Sequence, residues 1–190
     1  MHSYFRCFTT AIFLFLVYCS AASSATITAA SCSASDVQAA INSANPGDTI
    51  VIPPGECTWT SQVTVDKAIT LHGSGIDSTV IHDENTDHEG LVLITKGDKY
   101  YRVTNMTWIE SLSGNVFSSI RITGDSSNVR LDHMKIVNNT RRSIKISGAV
   151  TGVIDHCQFE CATWGDAIYV SHANWGVMWF NFNGHSAKSS

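Results

Sequence analysis

The chain has 190 residues, of which 16 are acidic and 12 are basic, so its formal net charge near neutrality is −4. That charge excludes nucleic acid as the default partner. Apolar residues make up 44% of the chain and charged residues 15%, which excludes a disordered chain and indicates a folded domain with one core. The short apolar strings are rich in Val, Ile and Thr, a bias that favours β-strands.

Residues 1–25 have the pattern of a secretory signal peptide. Arg6 precedes an apolar run from Phe8 to Tyr18, and small residues from Ser20 to Ala25 follow it. The run is shorter than the roughly 20 apolar residues of a membrane span, so the sequence predicts cleavage near Ala22 or Ala25. We expect residues 26–190 to form one secreted domain, extracellular, periplasmic or at the cell surface, with no membrane contact after cleavage.

Four cysteines remain in the mature chain, in a compartment where disulfides persist. Three pairings are open. Sequence proximity favours one pair in each half, but the second pair closes a very small loop, so two buried free thiols are the alternative there. The spacing does not match a zinc knuckle. The favoured pairs are Cys32 with Cys57 and Cys157 with Cys161.

One helix is predicted near the start of the mature chain. Ser35 or Asp36 is suited to cap a segment that ends at Ala44 and carries apolar residues at helical spacing. The segment Asn45–Asp48 then breaks the helix, and the residues beyond it alternate in strand fashion between turns. We expect no second helix, and we expect this one to cover the open edge of the first repeat.

Strand-like segments recur along the rest of the chain. Four of them share one pattern, with third residues at positions 94, 122, 146 and 170, at intervals of 28, 24 and 24 residues. A second series recurs in phase with the first at intervals of 28 and 23 residues. Periods in this range are typical of stacked repeats. The first series is Val92–Thr95, Ile120–Thr123, Ile144–Ser147 and Ile168–Ser171; the second is Arg102–Asn105, Arg130–His133 and Val153–His156.

Short strands without helices between them predict an all-β fold, a right-handed parallel β-helix in which each coil lays its strands on the previous coil. Another repeat begins at Asn174, and no closing element follows Gly184. We therefore interpret the chain as truncated at its carboxyl end, or as covered there by a partner, including self-association through the open final coil. The residues expected to face inward are Ile120, Ile122, Ile144, Ile146, Ile168 and Val170.

The predicted helix is followed by two turn-rich segments, Pro46–Gly55 and Ala68–Gly75, and a later strand ends in Val153–Cys157. Because of these segments, residues 35–184 resemble the amino-terminal part of secreted β-helix proteins of the pectate lyase superfamily. The resemblance implies activity on a polysaccharide, and it implies calcium bound by two carboxylates in the coil after the last segment. Asp166 matches the first carboxylate, and Val170 stands at the second position. The paired-Asp and Gly-His-Gly patterns of the related polygalacturonases are absent, which disfavours hydrolysis.

Period-2 alternation places Arg121, Lys145 and Tyr169 on the outer face of one sheet, on successive coils. The cations are suited to sugar carboxylates and the ring to a sugar face. They are also the residue types that β-elimination on a uronic acid requires, namely a base for the C5 proton, a group that neutralises the carboxylate and an acid for the leaving oxygen. A lysine serves as the base only when it is deprotonated, which neighbouring cations favour.

Residues next to these strands are expected to line the sides of a groove and to bind substrate. They are Arg141, Arg142, Asp166 and His172. The sequence thus predicts a lyase acting on an acidic polysaccharide, with calcium at Asp166 as the candidate cofactor. The alternatives are a non-catalytic carbohydrate-binding or adhesin-type module, because fold alone does not fix function, and a solvated face without a ligand.

Two further patterns have structural as well as functional interpretations. His133 and His156 each follow an Asp, but they align with Asn105 at a bend in three coils, which predicts a stacked ladder of turns. The acidic segment 82–89 concentrates oxygen ligands and is a second candidate for calcium, with a charged, solvated loop as the alternative.

Overall fold

The computed structural model describes residues 23–110, 118–138, 142–161, 167–171 and 178–181. Within them the chain forms a parallel β-solenoid of about five turns with one short helix, which confirms the predicted fold class. The elements are β1 Thr26–Thr28, α1 Ala34–Ser43, β2 Thr49–Ile52, β3 Gly55–Trp59, β4 Val63–Val65, β5 Thr70–Gly73, β6 Thr79–Asp83, β7 Leu91–Thr95, β8 Tyr101–Glu110, β9 Ser118–Gly124, β10 Val129–Asn138, β11 Arg142–Gly148, β12 Gly152–Asp155, β13 Gln158–Cys161, β14 Ile168–Ser171 and β15 Met178–Asn181.

The strands form two parallel sheets, because each strand pairs with its equivalent in the next coil. The larger sheet has the order β1-β2-β5-β8-β10-β12-β15, with β3, β6 and β13 attached beside this path. The smaller sheet has the order β4-β7-β9-β11-β14. Apolar side chains from both sheets meet inside the coils, where Ile120, Ile122 and Ile144 are fully buried.

The strand register agrees with the prediction except at one segment. Arg102, Arg130 and Val153 are in register, as expected. On β7, however, Leu93 pairs with Ile122, so the predicted alignment of Ile94 with Ile122 is wrong by one residue. Every residue of β7 except the last is apolar, so its alternation cannot be read from the sequence, and packing of the two leucines against the core decides the register.

The expected burial of Val170 is also wrong. Its side chain is 49% exposed, whereas Ile146, its register partner on the previous coil, is 1% exposed. Among the described residues β14 is the edge strand of the smaller sheet, so no described coil lies beyond Val170 to cover it. Ile168, on the same strand, is partly buried and packs against the core.

Helix α1 begins earlier than predicted and covers the first coil as expected. Ser33, rather than Ser35 or Asp36, is the N-cap, and its hydroxyl accepts the Asp36 N–H at 3.3 Å. The side-chain amide of Gln38 accepts the Thr64 N–H at 2.7 Å and donates to the Thr64 carbonyl at 3.2 Å. The helix thereby satisfies backbone groups of β4, the first strand of the smaller sheet, which protects that sheet edge.

The start of the described chain is bonded into the fold. Ala25 donates its N–H to Asp48 Oδ1 at 2.8 Å and accepts the Thr49 N–H at 2.8 Å. Of the two predicted cleavage positions, the one near Ala22 retains these bonds. The predicted signal sequence up to residue 22 lies outside the described residues, among which no helix is long and apolar enough to cross a membrane.

Candidate functional site

Three predicted site residues lie side by side on the smaller sheet. Arg121 on β9 is in register with Lys145 on β11, and Lys145 is in register with Tyr169 on β14. Their neighbours on β9 and β11 are buried isoleucines, so alternation directs the two cationic side chains to the outer face. We term Arg121, Lys145 and Tyr169 the outer ribbon. Adjacent strands are about 4.8 Å apart, so the ribbon presents two cations and a phenol ring at successive steps along the solenoid.

The guanidinium group of Arg121 has an acidic neighbour. Its Nη1 lies 4.0 Å from Glu89 Oε1, and 39% of the Arg121 side chain is exposed. An ion pair at this distance and exposure is weak, so the guanidinium keeps donors for a further anion. Its Nε is buried and has no hydrogen-bond partner within the residues that the structure describes.

Arg142 contacts the ribbon at its far end. Its guanidinium carbon lies 3.5 Å from the centroid of the Tyr169 ring, a cation–π contact. Arg142 is the first residue of β11. The contact adds a third cation beside the ribbon and occupies one face of the Tyr169 ring.

Serine hydroxyls flank the two cations of the ribbon. Ser119 and Ser143, two residues before Arg121 and Lys145, are buried, and their hydroxyl groups have no hydrogen-bond partner among the described residues. The hydroxyl of Ser147 is likewise buried, and no residue in the described part of the chain is its hydrogen-bond partner. A buried polar group without a partner costs about 1–3 kcal/mol. These hydroxyl oxygens are not exposed to solvent, so a ligand on the outer face does not reach them.

The other predicted binding residues, Arg141, Asp166 and His172, lie outside the described residues, and so does the predicted calcium position at Asp166. Within the described part of the chain, no three His, Cys, Asp or Glu side chains are grouped so that they could hold a metal ion. In the acidic segment 82–89, Asn85 Oδ1 accepts hydrogen bonds from the backbone N–H groups of Asp87 and His88. This side-chain oxygen therefore stabilises the loop.

The predicted ladder at the bend is confirmed on the larger sheet. Asn105, His133 and His156 have φ angles of 59°, 51° and 53°, in the left-handed region that few non-glycine residues adopt. The rings of His133 and His156 stack with centroids 4.9 Å apart and planes 3° from parallel. We term these three residues the corner ladder.

Each histidine of the ladder is bonded to the aspartate before it. His133 Nδ1 lies 2.7 Å from Asp132 Oδ2, and Arg102 donates to both oxygens of Asp132 at 2.7 and 2.6 Å. The arginine thus reaches from one coil to the aspartate of the next. The same arrangement recurs one coil later with Arg130, Asp155 and His156.

These contacts lower the pKa values of both aspartates. Burial acts to raise the pKa of Asp132, but hydrogen bonds from Arg102 and His133 and the nearby guanidinium charges lower it to about 2. A hydrogen bond from Arg130 is the main cause that lowers the pKa of Asp155. Both carboxyl groups are therefore ionised near neutrality and accept hydrogen bonds only.

A pair of buried acids was not predicted from the sequence. Asp83 on β6 is in register with Glu110 on β8, and each residue is 6% exposed. Burial raises the pKa of Asp83 to about 7, and the charge of Glu110 acts in the same direction. The signal was present in the alternation of β6, in which Thr79, Ile81 and Asp83 share the inward phase.

The cysteines agree in part with the favoured pairing. Cys32 and Cys57 form a disulfide with Cα atoms 5.8 Å apart. Cys157 is a free thiol, and burial raises its pKa to about 11, which makes it unreactive near neutrality. The side chain of Cys161 lies outside the described residues.

A cleft of about 290 Å³ lies away from the outer ribbon, and no ribbon residue lines it. Its aromatic wall is Tyr100, which is 41% exposed, and Lys99 stands beside it. The other lining residues are Pro46, Gly47, Ala68, Ile69 and Thr70.

Comparison with known proteins assigns the chain to no family. No family model matches the chain, and no curated protein matches it. One solved structure, titled "Geobacillus virus E2 - ORF18", is similar with a TM-score of 0.49 and 14% sequence identity. The match covers 70% of this chain and 35% of that one, so the chain spans about a third of the length of the viral protein. The class that fold and site define is a parallel β-solenoid with a cationic outer ribbon.

Proposed function

We propose that this protein binds an acidic polysaccharide outside the cell, along the outer ribbon. The observation that carries the proposal is the register of Arg121, Lys145 and Tyr169 on three consecutive coils. A polymer with a carboxylate on each sugar presents charges at regular steps, and stacked coils present cations at regular steps of about 4.8 Å. Charge-assisted hydrogen bonds to carboxylates then supply the affinity.

The aromatic ring of this face favours a sugar over a simple anion. Sugars offer ring faces besides any charge. Tyr169 provides the ring face that Arg142 does not cover. A uronic acid polymer is complementary to both the cations and the ring, whereas phosphate or sulfate has no face that stacks on the ring.

Cleavage of the bound polymer by β-elimination is the second candidate activity, and the register neighbours Arg121 and Lys145 favour it. In this reaction Lys145 Nζ takes the C5 proton, a double bond forms between C4 and C5, and the bond from C4 to the glycosidic oxygen breaks. Tyr169 then protonates the leaving oxygen, and Arg121 neutralises the sugar carboxylate. The resemblance to pectate lyases supports this candidate, and it adds calcium as a proposed cofactor, with Asp166 as the matched ligand.

Binding to polygalacturonate, alginate and chondroitin sulfate, with neutral dextran as the control polymer, tests the proposal. We expect Arg121→Gln and Lys145→Gln each to weaken binding about tenfold, the effect of losing one charge-assisted hydrogen bond. Lys135→Gln is the matched control, because Lys135 pairs with Glu160 at 3.0 Å on the larger sheet. Equal affinity for charged and neutral polymers, or equal loss in all three variants, would overturn the proposal.

The same mixtures separate cleavage from binding. Elimination produces an unsaturated uronic acid, whose conjugated double bond absorbs in the ultraviolet. Rising absorbance that Lys145→Gln abolishes identifies a lyase. Binding without new absorbance rejects the lyase and leaves a carbohydrate-binding module.

A further inference from the structure

We propose that the cleft beside Tyr100 binds one uronic acid residue, with the sugar ring stacked on the tyrosine ring and the sugar carboxylate paired with Lys99. The cleft has a volume of about 290 Å³ and is lined by residues from the turns of three consecutive coils. It contains no residue of the outer ribbon, so this proposal does not rest on the proposed function.

The cleft arises from a difference in length between three stacked turns. The turns at residues 44–48 and 96–100 have five residues each, whereas the turn between them, at residues 66–69, has four. The shorter turn is recessed between its two neighbours. Ala68 and Ile69 in that turn are 7% and 1% exposed, and they form the apolar floor of the cleft.

Backbone hydrogen bonds join this floor to the coils on both sides. Gly47, on the wall that precedes the floor, donates its N–H to the carbonyl of Ala68 at 2.7 Å. Arg102, two residues after Tyr100 on the other wall, donates its N–H to the carbonyl of Ile69 at 3.1 Å. The cleft is therefore formed before a ligand arrives, and binding does not have to order the backbone around it.

The walls of the cleft suit a sugar ring. Tyr100 is 41% exposed, and no other Phe, Trp or Tyr side chain in the described part of the chain is as exposed. Pro46 is the apolar residue of the other wall. A sugar ring stacks one apolar face on an aromatic ring while its hydroxyl groups stay in water. Because the cleft is open to solvent at Tyr100, it favours such a ring over a wholly aromatic one.

Lys99 gives the cleft a cation, which selects a sugar that carries an acid group. Its side chain is exposed, and among the described residues no hydrogen bond or ion pair engages its ammonium group. The neighbouring cation Arg102 is already bonded to Asp132 through Nε and Nη2. The neighbouring acid Asp98 accepts the hydroxyl of Ser127 on the next coil. The charge of Lys99 is therefore available to a carboxylate in the cleft.

The volume of the cleft limits the size of the ligand. A cavity of about 150 Å³ holds benzene, so about 290 Å³ has room for one sugar ring with its hydroxyl groups and its carboxylate. One ring makes few contacts, so we expect a dissociation constant on the order of 1 mM for the free monosaccharide.

Nitrogen-15 amide spectra of the mature chain during titration with galacturonate test the site. We expect the amide resonances of Gly47, Thr70 and Tyr100, which line the cleft, to shift. The same shifts should occur in the double variant Arg121→Gln/Lys145→Gln, which separates this site from the outer ribbon. Galactose, which lacks the carboxylate, should bind about threefold more weakly. Benzoate, which has the carboxylate on an aromatic ring, should bind more weakly than galacturonate.

Substitutions in the two exposed side chains give a second readout. Tyr100→Ala should weaken galacturonate binding about threefold to tenfold, because stacking is lost, whereas Tyr100→Phe keeps the ring and should retain the affinity. Lys99→Gln should weaken it about threefold. Lys96→Gln is the matched control, because Lys96 is an exposed lysine of the same turn that does not line the cleft.

Three results would overturn the proposal. The first is unchanged amide resonances around the cleft at about 10 mM galacturonate, tenfold above the expected dissociation constant. The second is equal affinity for galactose and galacturonate, and the third is tighter binding of benzoate than of galacturonate. All three are measured on the wild-type chain, so they do not depend on whether a variant folds.

Discussion

Asp132 joins two neighbouring coils, because its fully buried carboxylate accepts hydrogen bonds from Arg102 of one coil and from His133 of its own. We expect Asp132→Asn to destabilise the protein at pH 7 by on the order of 1–2 kcal/mol, since the lowered pKa of Asp132 measures the preference of the fold for the ionised form. Urea unfolding checks this, with the exposed Asp77→Asn as the control.

The pH dependence of that effect has a definite sign. The pKa of Asp132 in the folded protein, about 2, lies below its unfolded value of 3.8. Its contribution is therefore complete above about pH 4 and is lost as the pH falls toward 2. The stability difference between wild type and Asp132→Asn should shrink across this window, and a constant difference would contradict the account.

The contribution of Asp83 to stability has the opposite pH dependence. Its pKa is raised from 3.8 to about 7 by burial, so the folded protein favours the protonated form and loses stability as the pH rises from 4 to 7. We expect Asp83→Asn to be more stable than wild type at pH 8 by on the order of 2–3 kcal/mol, and close to neutral in effect at pH 4. Thermal unfolding at the two pH values checks this, and destabilisation by Asp83→Asn at pH 8 would contradict it. Asp87→Asn, on the exposed loop, is the control.

At the scale of single elements, glycines at the end of the smaller sheet allow the coils to stack closely. Gly148 has a φ of 89°, and a Cβ there would collide with the carbonyl oxygen of Gly124 on the previous coil. We expect Gly148→Ala to cost at least about 3 kcal/mol, because steric strain adds to the unfavourable backbone conformation. Chemical denaturation measures the loss.

Gly97 supplies the matched control for that substitution. Its φ of 60° is also positive, but a Cβ there would meet no atom within 4 Å. Gly97→Ala should therefore cost only the conformational part, about 1 kcal/mol. Equal losses for the two variants would show that coil stacking does not constrain Gly148.

Individual elements also show how far the sequence is informative. The register of β9, β11 and β14 follows from alternation of isoleucine or valine with Arg, Lys, Tyr or a hydroxyl residue, and the predicted register there is confirmed. On β7 the first four residues are all apolar, so the sequence shows no alternation there and packing in three dimensions determines the register. The helix start depends on which of several nearby serines bonds the free N–H groups, and sequence alone does not distinguish Ser33 from Ser35.

For the whole molecule, repetition is what made the fold predictable. Each coil repeats the environment of the previous one, so a period in the sequence becomes a column in space, and both the outer ribbon and the corner ladder follow from it. A sequence period does not predict features that occur at one coil. The ion pair of Arg121 with Glu89, the stacking of Arg142 on Tyr169 and the burial of Asp83 are of this kind.

The salt dependence of polygalacturonate binding tests the outer ribbon most directly, with the wild type compared with the double variant Arg121→Gln/Lys145→Gln. The two cations lie in register on adjacent strands, so a polymer chain that lies along the outer ribbon would contact both. Wild-type affinity should fall steeply as salt is raised, because salt screens the contacts between these cations and carboxylates. The double variant should bind weakly at low salt and respond little to added salt. Equal affinity and equal salt dependence in the two proteins would contradict the ribbon as the binding surface.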